Sequence, residues 1–407
     1  MTSIFKKWDS ISLVKRIIGG LILGTVLGIC LPQATFIATF GTVFTGALKA
    51  IAPILVFFLI ISSLCQHKEG AKSNMGRVVA LYLIGTFTAA LVAVLGSYLF
   101  PITLTLTSAV ESTSTPSGVG EVIQNLLISV VDNPVYALST GNYISILAWA
   151  VVIGLALRIA SDTTKITLQN ISDGVSQVVR WIISFAPFGI MGLVFSTVSE
   201  NGVAIFTEYG ALLALLVGCM LVSALIFNPL IVFLNLRINP YPLLWKCIKG
   251  SFLTAFFTRS SAANIPVNMG VCKSLGLNED HYSVSIPLGA TINMSGAAIT
   301  ITIMTLAAAN TLGFTVDIGT ALILCIASVV SACGASGVAG GSLLLIPLAC
   351  SLFNIPTDVA MQVVGVGFII GVVQDSFETG LNSSEDVLFT ATAEFVQWKK
   401  EGKEIKY

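Results

Sequence analysis

Long stretches without a charged residue are the feature of this sequence that most restricts its fold. Asp, Glu, Lys and Arg are absent from residues 17–48, 50–66, 78–110, 133–157, 181–199, 209–236, 282–316 and 318–357. A helix needs about 20 apolar residues to cross the hydrocarbon core of a bilayer, and these runs reach or approach that length. Soluble domains carry roughly 25% charged residues, whereas this chain of 407 residues carries 10%. The pattern predicts an all-α, polytopic membrane protein.

Charge and cysteine content exclude several other classes. The formal net charge is zero, so no basic surface is available to bind nucleic acid. The eight cysteines include no pair at C-x-x-C spacing, and we expect them to be small buried residues. The two histidines, His67 and His281, cannot build a zinc or haem site between them. No small-x-small cleavage site follows the first apolar run, which therefore predicts a retained helix rather than a signal peptide.

The positions of the basic residues predict the orientation in the membrane. Lys and Arg accumulate in short cytoplasmic loops, and eighteen of the twenty fit such loops, with both termini inside. Between Arg77 and Arg158 there is no Lys or Arg, and the Ser/Thr/Pro-rich segment 107–118 is expected to be an external loop. The two exceptions are Lys49, expected near an outer helix end where it can snorkel, and Arg259.

Two segments in the second half are too polar to be simple spans. Residues 251–271 have a polar centre, and Lys273 then returns the chain to the positive side; residues 319–353 contain a Gly-rich centre at 334–342. Non-helical backbone at membrane depth is tolerated only where it lines a cavity or is buried in protein. Each segment precedes a helix with embedded polar groups, which is typical of inverted repeats built from a re-entrant hairpin and a helix. The alternative is two Gly/Ser-rich helices in tight contact with their neighbours.

The last apolar helix carries a stripe of polar side chains. The stripe consists of Asp375, Glu378, Thr379, Asn382 and Asp386. At about 100° per residue these positions fall within roughly 100° of one another. Ionisable groups inside a membrane are costly and indicate function. The stripe therefore predicts a binding site.

The composition of this stripe indicates which ligands it could bind. The one basic side chain expected at membrane depth is Arg259 on the first hairpin tip, so further cations are expected from outside. Carboxylate, amide and carbonyl oxygens suit Na⁺ rather than a transition metal. The alternative places the acids at a water-exposed helix end, which would fit Glu385 and Glu394 better than Asp375.

One enzymatic alternative arises from residues 334–337, whose Gly-Ala-Ser-Gly sequence matches the G-x-S-G of intramembrane serine proteases. Such a serine needs a histidine base. Both histidines lie in charged stretches that precede this motif. We therefore expect no catalytic dyad and no enzymatic activity.

Four motifs in order resemble the dicarboxylate/amino acid:cation symporter family, which has the glutamate-transporter fold. They are Thr-Arg-Ser-Ser at 258–261, Pro-Leu-Gly-Ala-Thr-Ile-Asn-Met at 287–294, the Gly-rich second hairpin, and Asp375…Thr379-Gly380-Leu381-Asn382…Asp386. The resemblance covers essentially the whole chain and is densest from about 250 to 390. It implies eight transmembrane helices plus two re-entrant hairpins, assembled as a homotrimer in lipid.

The resemblance also implies a domain organisation. Residues 1–200 would form mostly scaffold and trimerisation helices, although the third helix, at about 78–100, would join the transport domain. Residues 201–396 would form the transport domain, with hairpins at about 241–272 and 319–353, and 397–407 a cytoplasmic tail. The transport domain would slide past a static scaffold.

The site residues follow from the resemblance position by position. Those implied to bind substrate are Arg259, Ser260, Ser261, Gly337, Val338, Asp375, Glu378, Thr379 and Asn382. Those implied to bind Na⁺ are Gly289, Asn293, Asn382 and Asp386 at one site, and Thr291, Met294, Ala332, Cys333 and Ala335 at a second. Asp375 would bind the substrate ammonium with Thr379 beside it, and the backbone of Ser260 and Ser261 with the Asn382 amide would hold the carboxylate.

Two departures from the family pattern affect substrate and ion binding. Where members with acidic substrates have an arginine that pairs the substrate carboxylate, this chain has Glu378, which would repel such a group. Where those members have an aspartate that helps to bind another Na⁺, this chain has Ser295, and a Thr-Ser pair of the third helix is Gly85-Thr86. We therefore expect a neutral substrate side chain and fewer coupled Na⁺ ions.

The sequence thus predicts a Na⁺-coupled importer of small neutral hydroxy amino acids in a bacterial inner membrane, similar to the family members that carry serine and threonine. Na⁺, the amino acid and membrane lipid are the expected partners, and nucleic acid is not. The sequence leaves three alternatives open. They are a carrier of acidic amino acids or C4-dicarboxylates on the same fold, proton coupling through Glu378, and a passive channel built from Gly-rich re-entrant loops.

Overall fold

A computed structural model describes residues 11–65, 75–106, 124, 127, 128, 130–335 and 340–405. Within these ranges the chain is helical and contains no β-strand. The helices are α1 (Leu13–Cys30), α2 (Ala38–Cys65), α3 (Met75–Leu99), α4 (Pro134–Thr140), α5 (Tyr143–Ala156), α6 (Asp162–Ser184), α7 (Ala186–Asn201), α8 (Ile205–Val222), α9 (Asn228–Leu236), α10 (Tyr241–Cys247), α11 (Leu253–Thr258), α12 (Ser261–Ser274), α13 (Glu279–Ile292), α14 (Ser295–Thr311), α15 (Ile318–Ala332), α16 (Ile346–Ser351) and α17 (Thr357–Lys400). This all-helical architecture agrees with the predicted fold class.

In the described ranges, six helical segments are long and apolar enough to cross a membrane, and a seventh is obtained when α6 and α7, bent by 54°, count as one span. The chain is therefore a multi-pass membrane protein. The uncharged runs do not mark the helix ends, because the run 17–48 contains the break between α1 and α2. Lys49 lies in the interior of α2 rather than near a helix end, and its ammonium pairs with Asp358 in the first turn of α17.

Two groups of helices pack around different partners. In the first group, α1 packs on α7, and α2 packs on α5, α6 and α7. Glycines allow the backbones to approach closely here: a Cβ on Gly24 would overlap the backbone of Met191, and one on Gly192 would overlap Gly41. Small residues serve this purpose at many membrane helix contacts, since lipid offers no hydrophobic drive to association.

The second group surrounds α14 and α17. Helix α3 packs on α14 and α15, and α17 contacts α8, α9, α11, α12, α13 and α14. The most apolar window of Glu279–Thr311 is 94% buried inside the protein, compared with 17% for α1. The polar residues of α14 from Ser295 to Thr305 and the acids of α17 from Asp375 to Glu394 lie in the interior of this group.

Two helix-turn-helix units supply the tips that reach α17. The first unit runs from α10 through a π-helical turn (Ile248–Phe252) into α11, and α12 follows. Its turn is made by Arg259, which has φ of 52° in the left-handed region. In the second unit, α15 leads to residues 340–345 and α16, while residues 336–339 lie outside the described residues.

Candidate functional site

The five residues of the predicted stripe lie on one continuous helix, α17, and all five are buried. Asp375, Glu378, Thr379, Asn382 and Asp386 are 5% exposed or less. The helix can carry them at membrane depth because other helices of the second group cover this face. The five side chains therefore form a polar site inside the protein and do not lie at a water-exposed helix end.

Asp375 joins the two helix-turn-helix units. Its Oδ2 accepts a hydrogen bond from Arg259 Nε at 2.5 Å, and its Oδ1 accepts one from the Gly340 amide at 3.2 Å. The Arg259 and Asp375 side chains are 11% and 4% exposed. Next to Arg259, Ser260 caps α12 by accepting a hydrogen bond from the Ala263 amide at 3.2 Å. One carboxylate therefore connects both tips to α17.

A break in the helical backbone lies opposite Asn382 and Asp386. Asn293 and Met294 separate α13 from α14 with non-helical ψ angles of 82° and 52°. Asn382 is held in this break, because its Oδ1 accepts from the Gly296 amide at 2.7 Å and its Nδ2 lies 3.3 Å from the Met294 sulfur. Asn293 Nδ2 donates to Asp386 Oδ1 at 2.9 Å.

Two buried oxygens at this break have no hydrogen-bond partner among the described residues: Asn293 Oδ1 and Asp386 Oδ2. Gly289 leaves room beside them, since a Cβ there would lie 2.5 Å from Asp386 Oδ1 and 2.8 Å from the Tyr82 hydroxyl. Leaving such oxygens without a partner in the interior is costly. A carboxylate and an amide oxygen are hard ligands that fit Na⁺.

The second predicted ion site is only partly described. Cys333 Sγ lies 3.5 Å from the Ile292 carbonyl, so the end of α15 reaches the break after α13, and Ala332 and Ala335 are buried nearby in the chain. The Thr291 hydroxyl donates to the Leu288 carbonyl and its side chain is exposed. Gly337 and Val338, predicted to contact substrate, lie outside the described residues.

Glu378 lies in a cluster of hydroxyl and amide donors that sequence reasoning did not select. Its Oε2 accepts hydrogen bonds from Thr300 Oγ1 at 2.8 Å, Ser342 Oγ at 2.8 Å and Gln374 Nε2 at 2.5 Å. Gln374 stands one helical turn before Glu378 and could have been recognised from that spacing. Thr300 and Ser342 come from α14 and from the segment before α16, and no local sequence signal connects them to Glu378.

The alternative interpretation of Glu385 and Glu394 as water-exposed acids is wrong, because they are 1% and 5% exposed. Glu394 accepts hydrogen bonds from the Asn278 amide and from His281 Nδ1, both at 2.8 Å. His281 lies in the first turn of α13 rather than in a loop. Glu385 Oε1 accepts a hydrogen bond from Asn228 Nδ2 at 2.6 Å.

Comparison with known proteins decides the family. The profile of the sodium:dicarboxylate symporter family matches residues 13–394. The chain belongs to this family. The resemblance inferred from the four motifs is thereby confirmed.

Relatives within the sodium:dicarboxylate symporter family match almost the full length of the chain. A protein of Streptococcus agalactiae named serine/threonine transporter SstT is 60% identical over 395 residues, which is 97% of this chain and 98% of the relative. Proteins with the same name from Bifidobacterium adolescentis and Streptococcus thermophilus are 59% and 57% identical, over 98% of this chain and over 93% and 100% of their own lengths. Membership of a symporter family confirms a transporter rather than an enzyme.

Proposed function

We propose that this chain imports serine and threonine together with Na⁺ across a bacterial inner membrane. The observation that carries the Na⁺ coupling is the pair of buried oxygens without partners, Asn293 Oδ1 and Asp386 Oδ2. A cation placed between them would satisfy both atoms and neutralise Asp386. Asn382 and the Gly289 carbonyl stand at the same break and complete the proposed ligand set.

The second proposed Na⁺ site lies where α15 approaches the end of α13. The carbonyls near Thr291, Ala332, Cys333 and Ala335 would coordinate the ion, with the Met294 sulfur close by. The contact between Cys333 and the Ile292 carbonyl supports this placement. Movement of the second helix-turn-helix unit, which carries Gly337 and Val338, would open and close this site.

The substrate site is proposed around Asp375. The ammonium of the amino acid would bind Asp375 with Thr379 beside it, while the Asn382 amide and the backbone of Ser260 and Ser261 would bind the carboxylate. Both tips contact the Asp375 carboxylate, so a molecule bound to Asp375 would lie between them. The names of the relatives support serine and threonine as the substrates.

Glu378 supports a neutral substrate side chain. It is a buried acid three residues after Asp375, so a substrate carboxylate placed next to it would be repelled strongly in this low-dielectric interior. A substrate hydroxyl could instead donate to Glu378 or Thr379. Of the basic groups described, Arg259 reaches the stripe and is paired with Asp375. This charge distribution disfavours a carrier of acidic amino acids or C4-dicarboxylates.

The proposed topology has eight transmembrane helices and two re-entrant hairpins, with both termini cytoplasmic. The six long helices and the bent α6–α7 pair account for seven spans. The eighth is α5, a shorter apolar helix that follows α4. The two helix-turn-helix units, α10–α12 and α15–α16, are the hairpins.

The proposed transport cycle moves one group of helices past the other in a homotrimer. Residues 1–200 would supply the scaffold and residues 201–396 the transport domain, joined by the third span. The packing of α3 on α14 and α15 supports its assignment to the moving group. With the substrate bound, Na⁺ would reduce the buried charge, after which the second hairpin closes and the loaded domain crosses.

Uptake by purified protein in proteoliposomes tests this function. Labelled serine should accumulate with Na⁺ outside and not with K⁺ outside, and unlabelled threonine should compete whereas glutamate should not. Uptake of glutamate in preference to serine would contradict the substrate assignment. Serine flux that does not saturate would indicate a channel, and equal uptake in K⁺ would exclude Na⁺ coupling.

A further inference from the structure

A second group of buried oxygens lies beside the proposed Na⁺ site, and it surrounds Glu385. Glu385, Asn228 and Ser295 are each 1% exposed or less. The Ser295 hydroxyl hydrogen-bonds the Glu385 carboxylate, and within the described part of the chain Asn228 Oδ1 has no hydrogen-bond partner. The group contains one carboxylate, one amide and one hydroxyl oxygen, contributed by α17, α9 and α14.

The three side chains are brought together by breaks in the backbone. Asn228 begins α9 directly after a π-helical turn (Ser223–Phe227), and such turns often occur at functional sites. Ser295 is the first residue of α14 and is adjacent to the break at Asn293 and Met294. The Asn228 amide contacts Glu385 at 2.6 Å, and the Ser295 hydroxyl lies beside the same carboxylate.

Reversing the Asn228 amide does not satisfy the group. In the orientation described, Nδ2 donates to Glu385 Oε1 and leaves Oδ1 without a donor. In the opposite orientation, Oδ1 would face Glu385 Oε1 and two oxygens would meet without a hydrogen atom between them. In either orientation of the Asn228 amide, one oxygen lacks a hydrogen-bond donor and could bind a cation.

Charge balance points to the same ligand. Asp375, Glu378, Glu385 and Asp386 supply four buried carboxylates on α17, and among the described ion pairs only Arg259 supplies a cation to them. A zwitterionic amino acid adds no net charge. The two Na⁺ ions of the proposed function therefore leave one negative charge in the loaded site, whereas a further Na⁺ at Glu385 leaves none.

We propose that Glu385, Asn228 and Ser295 form a separate Na⁺ site, so that two Na⁺ ions are carried through the two neighbouring carboxylates Glu385 and Asp386. This inference rests on the proposed Na⁺-coupled uptake of serine. The three hard oxygens suit Na⁺, and a single carboxylate is fewer than the divalent cations Ca²⁺ and Mg²⁺ usually need in an all-protein site. Consecutive residues on a helix point about 100° apart, so the two carboxylates serve different sites.

The number of Na⁺ ions moved with each serine tests the site. Purified protein in proteoliposomes is given ²²Na⁺ and tritiated serine together, and Na⁺ titration of serine binding is measured in parallel. Loss of the Glu385 site in Glu385→Gln should lower the Na⁺-to-serine ratio by one ion and reduce the steepness of the Na⁺ titration. Glu401→Gln, at an exposed acid paired with Lys403, is the matched control and should leave both quantities unchanged.

A double variant separates loss of the site from damage to the fold. Glu385→Gln combined with Ser295→Asp moves the carboxylate across the same group of oxygens and should restore the missing ion. An unchanged ratio in Glu385→Gln, or proton uptake that disappears in that variant while the Na⁺ ratio stays the same, would overturn the proposal. If wild-type serine uptake requires Na⁺ and the ratio loses no ion in Glu385→Gln, the proposed Na⁺-coupled transport stands and the Glu385 site does not. If wild-type uptake does not require Na⁺, the proposed Na⁺ coupling itself is wrong.

Discussion

Individual residues of α17 differ sharply in what their carboxylates contact. Asp375 lies between Arg259 and the Gly340 amide, whereas Glu378 lies among three neutral donors. Asp386 receives one hydrogen bond from Asn293 and keeps an oxygen without a partner in the described structure. These three acids are therefore not interchangeable, and substitutions at each should affect a different step.

Asp386→Asn should weaken Na⁺ binding without changing the shape of the site. The variant removes an anionic oxygen ligand from a hard-cation site. Interactions of charged groups contribute about 1.5–3 kcal/mol net, so half-saturation of serine binding should need at least about tenfold more Na⁺. Asp173→Asn, at an exposed acid of α6 that bonds Gln169, is the control. A Na⁺ titration that matches the wild type would place the ion elsewhere.

Glu378→Arg should shift the preference toward acidic substrates. A guanidinium can pair a carboxylate with two hydrogen bonds, whereas Glu378 repels one. The ratio of aspartate to serine binding should rise, measured by competition against labelled serine. Transport of aspartate can stay weak, because the ion sites are unchanged.

The three donors around Glu378 complicate this substitution, since Thr300, Ser342 and Gln374 hydrogen-bond an anion and would face a cation instead. Glu378→Gln is therefore the matched variant of nearly equal size. Glu378→Gln should reduce the repulsion of a substrate carboxylate without supplying a cation to pair with it. Its ratio of aspartate to serine binding should therefore rise less than that of Glu378→Arg. If both variants fold and keep the wild-type ratio of aspartate to serine binding, Glu378 does not contact the substrate side chain.

At the scale of helices and hairpins, Asp375 connects elements that are far apart in the chain. The α11–α12 turn is attached through Arg259, and the second unit is attached through the Gly340 amide. A substrate ammonium that binds Asp375 would share the carboxylate with both tips. Substrate binding and hairpin position are therefore coupled through one side chain.

Asp375→Asn should lower serine uptake at least about tenfold, since it removes the charge that meets both Arg259 and the proposed ammonium. The Arg259 turn should also exchange its amide hydrogens faster, because the ion pair that holds it is lost. Uptake and hydrogen exchange of residues 258–263 would be measured together. Asp317→Asn, at the exposed cap of α15, should change neither. Wild-type uptake by correctly inserted Asp375→Asn protein would place Asp375 outside the site.

For the whole molecule, the ion pair between Lys49 and Asp358 connects the two groups of helices. Their side chains are 45% and 80% exposed, so the pair contributes about 0–1 kcal/mol. Such a contact can break in every cycle as the proposed transport domain slides. It also marks a position where a covalent link would hold the groups together.

Cross-linking at this position should separate binding from transport. In a variant that also carries Cys30→Ser, which removes the exposed native cysteine, Lys49→Cys and Asp358→Cys would be joined by a short bifunctional thiol reagent. The linked protein should still bind serine and Na⁺, and its uptake should fall by more than about 90%, because the link blocks a domain motion that every turnover needs. The Lys49→Cys single variant treated identically should keep its uptake. Normal uptake by fully linked protein would contradict a sliding domain.

The membrane class, the helical content and the polar stripe of α17 were predictable from the sequence. Each depends on short-range regularities, namely apolar length and the period of 3.6 residues, which hold for any helix in lipid. The stripe residues accordingly occur buried on one face of a single helix. Helix boundaries were less predictable, since Lys49 lies within α2 although a lone charge interrupts its apolar run.

The amino-acid sequence by itself determined a polytopic helical protein with acids, amides and hydroxyls at membrane depth, because residue type and spacing along one helix are local properties. Only the tertiary structure decided which of these groups meet. Asp375 pairs with a residue 116 positions away, and Glu385 contacts Asn228 across 157 positions. Such contacts depend on how separate helices pack and where their backbones break, and no periodicity within one segment encodes them. That is why the sequence left open whether Glu385 lies at a water-exposed helix end, whereas in the structure it is buried against Asn228 and Ser295.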